Sequence, residues 1–294
     1  MPESQTKILI HCPQCGGNIA FLEENHVIRC EFCGIALLVG GRDGVLRYVL
    51  SPQIKEAEKA RLRAVESVLQ AGNHSPVPGE TFLFYAPFWR IQGMVYRWVF
   101  GMKPMKVEID AGTPPPMERL KTLLTRIMDQ TIPGSAGLLP GLQSLGVRTQ
   151  TLQLEPFSRE NLDQRSSFLP LETPLEIAQS EARRFADLFF SEGDLIPEVI
   201  LQRTVGLRFS VIYFPLWYVE CTHERGREGV IIDAVGQSAV QTVADASRIR
   251  SRLQTEESRK SFTFGELTFL PFRCPNCGWD FPFRPSSLIH FCST

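Results

Sequence analysis

Two stretches of the chain are apolar almost without interruption, and they superpose on each other at a shift of 128. Leu83-Phe84-Tyr85-Ala86-Pro87-Phe88-Trp89-Arg90-Ile91 lies on Val211-Ile212-Tyr213-Phe214-Pro215-Leu216-Trp217-Tyr218-Val219. Their aromatic and β-branched content predicts strands. Pro87 and Pro215 have no N–H to give a ladder, so each is expected at a bulge or an edge. Further on, Val107, Ile109, Asp110 and Ala111 echo Val230, Ile232, Asp233 and Ala234 at a shift of 123, predicting another strand in each half. Helical spacing takes over elsewhere. Met117, Leu120, Leu124 and Ile127 form one stripe after Pro116; Ala178, Ala182, Phe185 and Phe189 form another, behind a capping box at Thr173 and Glu176 and before Gly193. A helix opens at Ser51-Pro52 and closes at Gly72, and a fourth is expected over 238–254. The pattern predicts an α+β body of two related antiparallel-sheet-plus-helix halves, 41–135 and 136–267.

Composition adds only limits. At 294 residues with 43% hydrophobic and 21% charged positions, the chain can bury a core of ordinary size. A net charge of −1 gives no global positive field toward nucleic acid or anionic lipid. No charged segment followed by an apolar one opens the chain, and the apolar runs fall short of the ~20 residues a membrane helix needs. The expected location is the cytoplasm.

The eight cysteines are not scattered. Cys12-Pro-Gln-Cys15-Gly and Cys30-Glu-Phe-Cys33-Gly are two C-x-x-C-G knuckles, separated by short strands expected at 18–23 and 27–30 and a turn at Glu24-Asn25. Each glycine after the second cysteine permits the positive φ such a turn requires. Four thiolates at this spacing predict a closed structural zinc site in a ribbon spanning 7–40; rubredoxin-like iron is the competing reading. Such a short segment buries too little apolar surface to fold alone, and zinc supplies the missing stability.

A shift of 262 carries Cys12, Cys15 and Cys30 onto Cys274, Cys277 and Cys292 without a gap, with Pro13, Gly16, Phe21 and Val27 matching Pro275, Gly278, Phe283 and Ile289. A second zinc ribbon is therefore expected at 268–294. Its fourth ligand is expected at position 295, one past Thr294, so the natural chain is expected to continue with a cysteine. His290 is a weak rival for that role, since it matches Ile28 on a strand. Only Cys221 lies outside the repeated pattern.

A four-cysteine ribbon followed by two Pro-x-Trp strand modules resembles the bacterial TFIIB-type zinc ribbon-containing proteins. The resemblance implies this architecture and no particular role in transcription.

Catalytic signatures are missing from the sequence: there is no phosphate loop, dinucleotide fingerprint or HExxH, and Gly134-Ser135-Ala136-Gly137 lacks the spacing of a nucleophile elbow. Cys221 and His223 could be drawn as a thiol pair, but a half-buried Cys beside a surface His is the simpler reading. Asp110 and Asp233 read as turn-formers, and Tyr85, Trp89, Tyr213 and Trp217 as core. Arg248, Arg250, Arg252, Arg259 and Lys260 are offset by Asp245, Glu256 and Glu257. Arg29 with Phe21, Phe32, Phe281 and Phe283 could stack bases. The expectation is a non-enzymatic zinc protein whose ribbons bind other proteins, with nucleic acid as the alternative partner.

Overall fold

The computed structural model describes residues 6–42, 44–105, 114–135, 137, 139–146, 153–158, 167–190, 196–243, 247–253, 264–284 and 289–292. Its strands are β1 (Lys7–His11), β2 (Asn18–Leu22), β3 (Val27–Arg29), β4 (Ala36–Gly40), β5 (Leu46–Val49), β6 (Val77–Pro104), β7 (Met117–Pro133), β8 (Gln153–Pro156), β9 (Ser167–Phe168), β10 (Ile196–His223), β11 (Gly226–Asp233), β12 (Ala239–Val243) and β13 (Thr268–Pro271). The helices are α1 (Ala57–Gln70), α2 (Leu175–Leu188) and the one-turn α3 (Ser247–Arg250). The fold is thus mixed α+β and mostly sheet, with cysteine clusters toward both ends of the chain. Among the described residues, no helix is long and apolar enough to cross a membrane.

The chain forms two compact units, Met1–Trp89 with Ile132–Thr173 and Ser210–Thr294, and Arg90–Thr131 with Pro174–Phe209. In the first, strands follow the order β12-β11-β10-β5-β8-β1-β2. β5 runs parallel to β10, with Leu46 opposite Ser210 and Val49 opposite Tyr213. β8 joins β5 to β1, so the N-terminal hairpin β1–β2 extends the main sheet. A second sheet, β13-β4-β3, sets Thr268 opposite Gly40 and Val27 opposite Leu38. The main core of this unit joins Tyr48, Leu50, Phe84 and Phe214 to Ile8, Ile19, Cys12 and Cys30. α1 presents a stripe of small residues, Ala60, Ala64 and Val68, to Trp217, Val219, Cys221 and Val230. Small side chains let the helix lie close on the sheet.

The two Tyr-x-Pro-x-Trp segments make corresponding hydrogen bonds. The Tyr85 and Tyr213 carbonyls accept from Leu169 and Leu50, and those of Pro87 and Pro215 from Gly134 and Ala234. The Gly134 carbonyl accepts from Glu172 and Thr173, as that of Ala234 does from Gln53 and Ile54. The indole N–H groups of Trp89 and Trp217 both donate to backbone carbonyls, Thr173 and Ile54, at 2.8 Å. The residue standing where Ala234 stands is therefore Gly134, not Ala111, which with Val107, Ile109 and Asp110 lies outside the described residues.

In the second unit β6 pairs with β7 and β10. Gly101 approaches Ile196 and Gly93 approaches Val205 and Leu207, so β6 and β10 run in opposite directions here. Arg90, fully buried, donates through Nε and Nη2 to the two carboxylate oxygens of buried Asp129 at 2.8 and 2.6 Å.

Several local expectations change. The helix expected along Met117, Leu120, Leu124 and Ile127 is strand β7: pairing with β6 overrides the helical propensity of its Leu, Lys, Arg and Met residues. The helix expected over 238–254 is β12, which pairs with β11 across a register shift at Ile231/Ile232, followed by one helical turn; Gln254 lies outside the described residues. The two short strands between the knuckles form where expected, as β2 and β3, with β2 joining β1 and β3 joining β4. The capping box does not form, since Thr173 donates its hydroxyl to the Pro133 carbonyl and α2 has no side-chain cap. The α2 stripe is Ala178, Ala182 and Ala186, with Phe185 and Phe189 only half-buried, and Gly193 lies outside the described residues. α1 starts six residues beyond Ser51 and ends as expected, with Gly72 at φ 82°.

Candidate metal centres

Each knuckle is built by two backbone hydrogen bonds. At the first, Cys12 N–H donates to the Gly17 carbonyl and Gly16 N–H to that of Cys12, both at 2.8 Å. At the second, Cys30 donates to Ile35 and Gly34 to Cys30, both at 2.9 Å. At the third, Cys274 donates to Trp279 and Gly278 to Cys274, again at 2.8 Å. Gly16, Gly34 and Gly278 have φ of 75°, 77° and 74°, a conformation costly for any residue with a Cβ. The repeat at a shift of 262 is thus a repeat of hydrogen bonds as well as of letters.

The first two knuckles meet. Cys12 Sγ lies 3.8 Å from Cys33 Sγ, and Cys15 Sγ lies 3.7 Å from Cys30 Sγ. All four sulfurs fall within 4.8 Å of one another. Sulfurs at ~2.3 Å from a tetrahedral ion are about 3.8 Å apart, whereas a disulfide brings them to ~2.05 Å. The spacing fits a bound ion, and none of the eight cysteines forms a disulfide. As thiols, Cys30 and Cys15 do not ionise alike. Cys30 is drawn down to about 7, chiefly because its sulfur accepts from the Cys33 N–H. At Cys15 the Gly17 N–H favours the thiolate, but burial and the three neighbouring sulfurs outweigh it and push the thiol up to about 12. A cation removes that conflict by stabilising all four thiolates together.

The second cluster brings together Cys274, Cys277 and Cys292, with Cys277 and Cys292 Sγ 3.3 Å apart. These two clusters could each hold a metal ion. His290 does not join the second; its ring packs edge-on against Phe272 at 4.5 Å and lies 6.2 Å from Phe281. The clusters belong to one compact unit. β13, which leads into the second cluster, pairs with β4, which leaves the first, and the Arg29 guanidinium lies 4.8 Å over Phe283. Sequence reading missed this junction, since nothing in either knuckle specifies which strand pairs with β13.

Cys221 and His223 have different surroundings. Cys221 is fully buried under α1, and burial, aided by the charges of Glu228 and Glu220, pushes its thiol up to about 11. The imidazole of His223 instead lies 3.2 Å from Glu228. A thiol whose folded value is raised stabilises the fold fully below about 9 and loses that contribution as the pH climbs through about 11, because the unfolded chain releases a proton the folded chain keeps. Urea unfolding is therefore expected to show a loss of about 2 kcal/mol across that window, flattened in Cys221→Ala. Native Cys221 is expected to stay unreactive to thiol reagents.

The remaining candidates have structural partners. Asp233 Oδ1 accepts from Val235 and Gly236 N–H at 2.8 and 2.6 Å, a turn-forming carboxylate. Tyr85, Trp89, Tyr213 and Trp217 are buried. Arg250 pairs with Glu80 and Arg252 with Glu172. Asp245, Glu256, Glu257, Arg259 and Lys260 lie outside the described residues, as do Ala136 and the side chain of Arg248. The buried Arg90–Asp129 pair escaped sequence reading: Arg90 stands out as the one charge in an apolar run, but its partner sits in the segment read as helix. No protein-family model, curated protein or solved structure matches this chain.

Proposed function

We propose that both clusters hold structural zinc, and that the chain carries out no chemistry of its own but presents its two joined ribbons to a protein partner. Four thiolates leave no open coordination position, and zinc has no redox chemistry, so the first site serves folding. The three-thiolate site is expected to hold its ion more weakly. The observation that carries the partner reading is the apolar surface on the ribbons. Phe32 inside the second knuckle, Trp279 beside the third and Phe291 next to Cys292 are 70%, 70% and 78% exposed, and Leu270 lies opposite exposed Leu38 across β13 and β4. Exposed aromatics of this kind are enriched where proteins bind proteins. Against nucleic acid stand the engaged cations: Arg29 covers Phe283, and Arg250 and Arg252 are paired with carboxylates.

The body is best read as a duplicated strand-helix-strand-strand unit, β5-α1-β6-β7 followed by β9-α2-β10-β11. The corresponding hydrogen bonds around Pro87 and Pro215 support this. In it the first strand of each copy has crossed to the other, with β5 on β10 and β9 on β6.

The test is affinity capture with the full-length, zinc-loaded protein, with and without nuclease, beside a Phe32→Ser/Trp279→Ser variant. A protein retained after nuclease and lost with the variant is the expected result. Captured nucleic acid, released steeply by salt, would overturn the reading.

A further inference from the structure

The second unit carries a three-stranded sheet with one dressed face. Arg97 donates to Gln202 Oε1 at 2.7 Å and to the Asp187 carbonyl of α2 at 3.3 Å, and Gln202 donates to Asp187 Oδ1 at 2.8 Å. Val95 and Val99, on the same side of β6 as Arg97, are fully buried. Side chains alternate along a strand, so Met94, Tyr96, Trp98 and Phe100 stand on the opposite face of β6. On β10, Val199, Leu201, Arg203 and Val205 alternate with Gln202 and stand there too. The Lys121 ammonium lies 5.3 Å over the Phe100 ring, which places Lys121, Arg119, Leu123 and Ile127 of β7 on this face.

This face is apolar and open. Met94, Leu123, Ile127, Val199, Leu201 and Val205 are between 37% and 57% exposed. With the half-buried aromatics between them they present a broad apolar surface, of the kind that marks a docking site. Among the described residues its charge is one-sided. Apart from the buried Arg90–Asp129 pair, the ionic groups in these alternations are Arg119, Lys121 and Arg203, all cationic.

We propose that this sheet face docks on an anionic phospholipid surface, a role independent of the ribbons. The aliphatic side chains would enter the boundary of the hydrocarbon, Tyr96 and Trp98 would sit at headgroup depth, and the three cations would meet lipid phosphates. A second copy of the chain would bring two faces of the same charge together. Single-stranded nucleic acid would suit the cations and aromatics but would leave the aliphatic groups, the most exposed part of the face, against phosphate and water.

The test is co-sedimentation of the full-length, zinc-loaded protein with vesicles of phosphatidylcholine alone or mixed with phosphatidylglycerol. Binding is expected only to the mixed vesicles. Arg119→Gln/Lys121→Gln/Arg203→Gln should weaken it at least about 30-fold, from the attraction each surface cation supplies. Leu201→Ser/Ile127→Ser should weaken it at unchanged net charge. Both variants alter exposed positions, and an unchanged melting temperature confirms their fold. Brominated acyl chains are expected to quench Trp98 fluorescence, an effect lost in Trp98→Phe. Failure to bind mixed vesicles at low salt overturns the proposal. So does a dimer that Leu201→Ser/Ile127→Ser dissociates, or an oligonucleotide complex that the arginine and lysine changes abolish while vesicle binding persists.

Discussion

Cys30→Ser is expected to lower the melting temperature of the protein by about 10–20 °C and to release one equivalent of metal. Two losses combine. A hydroxyl replaces a thiolate, which weakens an ion whose binding in isolated ribbons is worth ~10–16 kcal/mol. It also sits in a core that includes Ile28, Leu37 and Tyr48, where Cys30 is fully buried. Part of the binding energy survives because β1 and β2 are held by the main sheet, so a net loss of about 5 kcal/mol is reasonable at ~2–4 °C per kcal/mol for a chain of this size. Thermal unfolding by circular dichroism beside elemental analysis makes the measurement. Cys277→Ser, at an exposed ligand of the second cluster, should cost far less. Equal melting temperatures for Cys30→Ser and the parent protein would refute a structural ion at the first cluster.

Asp129→Ala is expected to cost about 3–5 kcal/mol, since it leaves the Arg90 guanidinium buried without its bidentate carboxylate. The converse is the sharper part. Arg90→Met/Asp129→Leu removes both charges and fills similar volume, and should recover most of the loss. Urea unfolding of the single and double variants decides it: a double variant as unstable as Asp129→Ala would mean that the site needs a polar group for some other reason.

What the sequence disclosed, and what it withheld, follows from how local each determinant is. A C-x-x-C-G knuckle is closed by hydrogen bonds spanning five residues and by a glycine at positive φ, so its geometry is written where its letters are. The α1 stop at Gly72 and the places of Ala178 and Ala182 on the buried side of α2 are equally local. β7 is different. Met117, Leu120, Leu124 and Ile127 satisfy helical spacing, and the same segment places Leu123 and Ile127 on one side of a strand; only β6, whose pairing lies beyond any short window, decides between them. The junction of β13 with β4 and the partnership of Arg90 with Asp129 depend on residues far apart in sequence, and no periodicity encodes them.

The parallel pairing of β5 with β10 has a consequence for the order of assembly during synthesis. Residues 46–49 leave the ribosome long before residues 210–213, their neighbours in the sheet. Until that late strand emerges, Tyr48 and Leu50 lack Ile212 and Phe214, with which they share a core. The early third of the nascent chain must therefore wait with an open sheet edge, a state exposed to wrong pairing. Within it, Cys12 and Cys33 are only 21 residues apart, so the first cluster could capture an ion before either β8 or β13, the later partners of β1 and β4, has emerged.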